Sequence, residues 1–177
     1  MLLGFFKKKG KGKTFIRTFK DFKAEFEEKG IDPRGTILYY LVAALEYALG
    51  NQKDGEAMAT LTMPKDFSKE DKKSPSGLKF LRTEKYYLDQ IAQNPAIIGS
   101  YLGGTPSNGY TIDTNKLTIS IIEQEIGEDE AKIIIQSAGK QNPTPIQLKK
   151  NVQGIWKIFR GTSSIATGVK MKSDKDF

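Results

Sequence analysis

Residues 36–49 read Thr-Ile-Leu-Tyr-Tyr-Leu-Val-Ala-Ala-Leu-Glu-Tyr-Ala-Leu, with Glu46 as the one charge and apolar side chains on nearly every face of a helical wheel. A helix that is apolar all round has to be covered on all sides. Asp32-Pro33 before it supplies an N-cap and a proline at the first helical position, where the missing N–H costs nothing, and Gly50-Asn51 ends it. This is the central buried helix, and the rest of the chain packs around it.

Upstream, Phe19, Phe22 and Phe26 recur at i, i+3 and i+7 with Lys, Asp and Glu between them, which places three rings on one face of a helix that stops at Gly30. Lys13 to Thr18 reads as a short strand or lead-in. Downstream, Lys53 to Leu61 carries the apolar stripe Ala57, Met58, Leu61 of a third helix, which ends before Met63-Pro64. Residues 64–77 form a long polar connection, long enough to be mobile. Helical pattern returns over Phe80 to Gln93 and restarts after Asn94-Pro95 through Tyr101-Leu102.

The periodicity then changes. Gly103-Gly104-Thr105-Pro106-Ser107-Asn108-Gly109-Tyr110 is dense in turn-formers, and everything after it reads as sheet. Leu117 to Ile126 and Ala131 to Gln136, joined by Gly127-Glu128-Asp129, predict an antiparallel hairpin. Ile146 to Lys150 and Ile155 to Arg160 predict two more strands, and Ser163 to Val169 an edge strand. Helices first and strands last give an α+β fold, with N-terminal helices packed on one face of a C-terminal curved antiparallel sheet. Nuclear-transport-factor-like and cystatin-like architectures share that order by analogy. The expected division is a flexible basic tail, residues 1–12, and a single α+β domain, residues 13–177.

Composition narrows the chemistry. The 177 residues are 38% hydrophobic and 28% charged, which suits one globular core. Cysteine and histidine are both absent, so thiolate nucleophiles, disulfides, Fe–S clusters, Ser-His-Asp triads and His- or Cys-ligated metal sites cannot be built. No apolar run reaches the roughly 20 residues of a bilayer-spanning helix. The start, Met1 to Phe6 followed by Lys7-Lys8-Lys9, reverses the order of a secretory signal, which places the expected location in the cytoplasm.

The formal net charge of +7 sits entirely in residues 1–23, where eight basic side chains face one acid, Asp21. The remainder is formally neutral, so specific nucleic-acid binding is not expected. Lys7, Lys8, Lys9, Lys11 and Lys13 are the candidate contacts for an anionic surface such as a membrane, with Leu2-Leu3-Gly4-Phe5-Phe6 as a weak interfacial anchor.

For a ligand or partner cleft the candidates are Tyr39, Tyr40, Tyr110 and Trp156, amphipathic rings on the central helix, after the glycine turn and on a late strand. Residues 103–109 lack the Gly-Lys-Ser/Thr ending of a phosphate loop and lead into a strand, so no nucleotide or other cofactor is expected. Glu123, Glu125, Glu128, Asp129 and Glu130 gather at a hairpin tip without calcium-loop spacing, and no metal is expected. Ser137, Lys140, Thr162, Ser163 and Ser164 can crowd one sheet edge, yet no Ser-x-x-Lys motif accompanies them, and no catalytic residue is assigned.

Three stretches together resemble a family of small uncharacterised bacterial proteins, a domain of unknown function. They are Asp32-Pro33-x-Gly35-Thr36-Ile37-Leu38-Tyr39-Tyr40-Leu41, then Gly104-Thr105-Pro106-x-Asn108-Gly109-Tyr110, then Ser137-x-Gly139, Pro145-Ile146-x-Leu148, Trp156-Lys157, Ser163-Ser164-Ile165 and Gly168-Val169. The resemblance runs from about residue 13 onward and implies a bacterial cytosolic origin and no mechanism. Its members often carry arginine before the proline of the Pro-Ile-x-Leu strand, where this chain has Thr144, so an anion-binding role for that arginine would not carry over.

Two functions are open from sequence. The first is a non-enzymatic binding or interaction module whose partner is another protein. The alternative is a histidine-free enzyme using carboxylate, tyrosine and lysine side chains in a helix–sheet pocket, which predicts a carboxylate of raised pKa beside Tyr39, Tyr40 or Trp156.

Overall fold

A computed structural model describes residues 18–170. The helical half holds α1 (Phe19–Lys29), α2 (Pro33–Ala48), α3 (Gln52–Leu61), α4 (Arg82–Gln93) and α5 (Ala96–Gly99), with a small sheet of β1 (Ser68–Glu70) and β2 (Leu78–Phe80) inserted between α3 and α4. The second half is a four-stranded antiparallel meander, β3 (Ile121–Ile126), β4 (Glu130–Ile135), β5 (Thr144–Lys150) and β6 (Trp156–Arg160), in the order β3-β4-β5-β6, followed by α6 (Thr162–Ile165). The chain is α+β, as the order of patterns predicts.

The central helix is buried from Ile37 to Ala48 except at Leu38, because its side chains offer water almost nothing on any face. Phe22 and Phe26 of α1 pack their rings on Tyr39 of α2, at centroid separations of 5.4 and 6.2 Å. Helix α3 lies against α2 closely enough that a Cβ on Gly55 would sit 2.5 Å from the Tyr47 backbone nitrogen. The inner face of the large sheet is Ala131, Ile133, Ile135, Ile146, Leu148, Trp156 and Ile158, all buried in the same core. At about 25 cal/mol per Å² of apolar surface removed from water, this shared core is the main term holding helices to sheet.

Helix α2 begins where sequence places it. Asp32 accepts the Arg34 backbone N–H at 2.9 Å and pairs with the Arg34 guanidinium, which pulls the Asp32 carboxyl below its ordinary range through the side-chain hydrogen bond and despite its partial desolvation. Asp32→Ala should lower stability by about 1 kcal/mol in urea unfolding, the usual cost of a lost N-cap. The wild-type contribution should fade as pH falls through the Asp32 titration. A variant as stable as wild type would show that the cap carries no weight.

Three elements differ from the sequence reading. Residues 64–77 are not a featureless loop: a 3-10 turn at Lys65–Phe67 leads into β1, and β2 returns in register Ser68↔Phe80, Lys69↔Lys79, Glu70↔Leu78. Ser76, whose hydroxyl bonds Thr60, Ser74 and Leu78, and Gly77, at φ 75°, supply the return. Phe80 therefore ends a strand rather than opening a helix. Strand β3 starts at Ile121 rather than Leu117. The expected edge strand at 163–169 is instead the short helix α6, because Gly161 at φ 119° turns the chain off β6.

The short strand or lead-in expected at residues 13–18 lies outside the described residues except for Thr18, which caps α1. Among the described residues no helix is long and apolar enough to cross a membrane.

Candidate functional site

The segments 99–110, 137–144 and 161–170, distant in sequence, meet at one end of the sheet. Gly104 is pressed on the Tyr110 backbone, where an added Cβ would lie 2.5 Å from the carbonyl carbon. Tyr110 is held at φ 60°, left-handed for a bulky residue, by its N–H to Thr105 O at 2.8 Å and by its hydroxyl to Lys170 O. Gly139 faces the Tyr110 hydroxyl and Val169 with no room for a side chain, and Lys170 N–H returns to Gly139 O at 2.8 Å. These contacts bring together the glycine turn, the Ser137-x-Gly139 turn and the Gly168-Val169 end of the chain.

Lys140 stands at the middle of this junction. Its Nζ donates to Ser164 O at 2.8 Å and Ile165 O at 2.9 Å, the carbonyls of α6, and lies 4.8 Å from the centre of the Tyr101 ring. Burial pulls the amine down to a pKa of about 8. The Tyr101 hydroxyl bonds Thr144 Oγ1 at the start of β5, and burial pushes the phenol up to about 12. Gln136 Nε2 staples the turn through Ser137 O and Lys140 O, at 2.8 and 2.9 Å.

Beside Lys140 lies a hollow of about 360 Å³ whose lining includes Lys140, Gln141, Asn142, Thr144, Ser164 and Thr167. Among the described residues no acid lines it, and Lys140 is the one charged side chain of that lining. Two of the three Nζ protons go to α6 carbonyls, and the described residues supply no third acceptor. A partly desolvated ammonium with a spare proton and hydroxyls around it suits a ligand carrying an acceptor or negative group. A neighbouring hollow of about 290 Å³ runs along Tyr101, Gly103, Gly104, Thr105, Ser120 and Gln136.

The serine–lysine set weighed from sequence is thus brought together only in part. Lys140 reaches the carbonyl of Ser164 rather than a hydroxyl, Ser137 Oγ donates to Ser100 Oγ at 2.6 Å, and Thr162 Oγ1 donates to Glu84 Oε1 at 2.9 Å. No hydroxyl here is hydrogen-bonded to the amine that would have to deprotonate it.

The four cleft candidates from sequence are all buried and are spread through the core. Tyr39 donates to Glu25 Oε2 at 2.7 Å among the α1 rings. Trp156 lies under the Lys150 ammonium at the β6 start, and its carbonyl takes the Thr36 hydroxyl at 3.0 Å. Tyr110 backs the Lys140 junction. Tyr40 is fully buried with its hydroxyl unpartnered, close enough to Glu84 for their charges to interact. Lys7, Lys8, Lys9, Lys11 and Lys13 lie outside the described residues.

Glu84 is, with Glu46, one of two buried acids among the described residues; it is 5% exposed, with Oε1 bonded to Thr162 and Oε2 unpartnered, and burial raises its pKa. A second polar cluster joins α2, α3 and α4: the Tyr47 hydroxyl donates to Asp89 and accepts from Lys85, with Glu56 3.9 Å from the ammonium. Burial raises the Tyr47 phenol, which makes it a weaker acid and a scarcer phenolate at neutral pH.

Sequence reasoning did not put Lys140 or Glu84 among the site residues. Lys140 sits in a polar turn that reads as solvated, and its acceptors are 24 and 25 residues away. The available signal was a lysine between Gly139 and the run Gln141-Asn142-Pro143, within a motif that carries the family resemblance.

The family described as Domain of unknown function (DUF6935) matches residues 14–173, a span that includes every segment of the Lys140 junction. No curated protein and no solved structure matches the chain.

Proposed function

Because the chain belongs to this family of domains of unknown function, we propose from its own residues that it is a non-enzymatic binding module whose Lys140 hollow receives a carboxylate or similar anionic group of a partner protein. The observation that carries the reading is the Lys140 ammonium, half-desolvated over Tyr101, with a spare proton beside a hollow lined by Thr144, Ser164 and Thr167 and, among the described residues, by no acid. A charge-assisted hydrogen bond in such a setting is roughly twice as strong as a neutral one. The lack of cysteine accords with a bacterial cytoplasmic setting, which belongs to the same proposal.

Beyond the Glu84–Tyr40 pair, one further feature bears on the enzyme reading, the amine–phenol–carboxylate cluster of Lys85, Tyr47 and Asp89. Its phenol is pushed away from ionisation, and its bonds tie three helices together. That favours a structural role.

The test is an amide-shift titration of the full chain with acetate and with a short peptide bearing a free C-terminal carboxylate. Saturable shifts are expected at residues 139–144 and 164–168, weakening at least several-fold between pH 7 and 9 as Lys140 loses its proton. Lys140→Met, checked for folding by Trp156 fluorescence, should abolish them. Shifts unchanged in Lys140→Met, or none in wild type, would sink the assignment, and a ligand recovered chemically altered would sink the non-enzymatic part.

A further inference from the structure

Among the described residues burial pulls two lysines down to a pKa of about 8, Lys140 and Lys157, and their surroundings differ. Lys157 Nζ donates to Leu61 O at the end of α3 and lies 5.5 Å from the centre of the Phe26 ring, so its amine is held against α1 and α3. It lines neither of the hollows beside the Lys140 turn. Lys140 lines one of about 360 Å³, together with Gln141, Asn142, Thr144, Ser164 and Thr167. Its main chain is fixed by Gln136 Nε2 on Lys140 O at 2.9 Å, and its Nζ by Ser164 O and Ile165 O.

Geometry and protonation together make the Lys140 amine a nucleophile beside an open space. In the ammonium two protons go to α6 and the third is spare; when the third leaves, that corner of the nitrogen carries the lone pair. At pH 8 the free amine is on the order of a hundred times more populated here than in a lysine at the ordinary value of 10.5. A weaker base is also a weaker nucleophile, which takes back part of that advantage. The side-chain amides of Gln141 and Asn142 line the same hollow and can donate to an anionic leaving group, and no described acid lines it to repel one.

We propose that Lys140 is a site of covalent acylation by a small acyl phosphate, and that the acyl group closes the anion site proposed for the same hollow, on which this second half rests. The free amine attacks the acyl carbonyl, a C–N bond forms, the C–O bond to phosphate breaks, and the nitrogen proton leaves with the hydrogen phosphate. The product amide is uncharged and keeps a single N–H. One of the two α6 carbonyls therefore loses its donor, the contact over Tyr101 loses its cation, and the described lining of the hollow loses its one charge.

The probe is acetyl phosphate at pH 8 on the full chain, with acetylation rates read lysine by lysine by peptide mass spectrometry. Lys140 is expected to react at least ten-fold faster than Lys157 and than the exposed Lys116 and Lys132, and to lose that lead in the urea-unfolded chain. Lys140 no faster than Lys116, or a lead that survives unfolding, overturns the site. Lys157 as fast as Lys140 would mean that lowered basicity alone decides, and overturns the role of the hollow. An uncharged acyl donor, p-nitrophenyl acetate, is the second arm: a lead confined to this ester overturns the acyl phosphate as donor. Protein acetylated at Lys140 should lose the acetate-dependent amide shifts at residues 139–144 and 164–168, and retained shifts overturn the switch. The two readouts fail separately. A Lys140 lead without shifts in the unmodified chain removes the anion site and its switch but supports the acylation site, whereas shifts without a lead remove the acylation alone.

Discussion

Gly104→Ala is expected to destabilise the domain by about 3 kcal/mol, the upper end of the usual range for overpacking a filled site. The new methyl would lie 2.5 Å from the carbonyl carbon and oxygen of Tyr110 and 2.6 Å from its Cα, all backbone atoms that no rotamer change can move. Tyr110 is fixed from two further directions, by Thr105 and by Lys170, at a φ of 60° that leaves it little freedom to yield. Displacing it also pushes its phenol toward Gly139, next to Lys140, so the same variant should weaken the anion-dependent shifts at residues 139–144. Gly168→Ala is the control: nothing lies within 4 Å of its would-be Cβ, and its effect should stay within about 0.5 kcal/mol. Urea midpoints at constant slope measure both, and a Gly104→Ala variant as stable as Gly168→Ala would contradict the packing argument.

The second large effect is opposite in sign. Glu84→Gln should raise stability at neutral pH by about 1 kcal/mol, the order of the penalty for a buried group left without its hydrogen bonds. Burial raises the Glu84 carboxyl above its ordinary value of 4.5, so the folded state holds the proton more tightly than the unfolded chain does. Stability from this group is therefore complete below pH 4.5 and falls as pH rises toward the folded value, where the buried carboxylate forms. Glutamine keeps the Thr162 bond through its carbonyl oxygen and turns an amide N–H2 toward the side where the Tyr40 hydroxyl lacks a partner. Glu56, also raised by burial, leaves some slope in place. Urea midpoints at pH 4.5 and 7 should converge in the variant relative to wild type; parallel profiles would show that Glu84 is not the group responsible. A carboxyl of raised pKa beside Tyr40 is what the enzyme reading anticipated, but the pair is interior.

The sheet edge follows a similar division between local pattern and long-range contact. Glu123 and Glu125 alternate in sequence and so share a face, which periodicity alone predicts. That the β6 edge is closed follows from where Gly30 and Thr62 end their helices, 126 and 96 residues before the strand residues they bond. The hairpin of residues 68–80 escaped the sequence reading because its strands are three residues each and mostly polar, too short to show a period. The helix at 162–165 escaped it because Ser-Ser-Ile-Ala-Thr-Gly-Val contains the β-branched residues of a strand, and the deciding residue is Gly161 just before them.

The sequence by itself determined the central helix, its Asp32-Pro33 start, the aromatic face of α1, the order of helices before strands, and the absence of imidazole and thiol chemistry. All of these depend on residue identity and on separations of a few positions, where the helical and strand periods act directly. Tertiary structure decided that Lys140 reaches α6 and Tyr101, that Glu84 bonds Thr162 near enough to Tyr40 for charge to act between them, and that the ends of α1 and α3 close the β6 edge of the sheet. Burial and hydrogen-bond partnership depend on which distant segments the core draws together, and local periodicity carries no record of that.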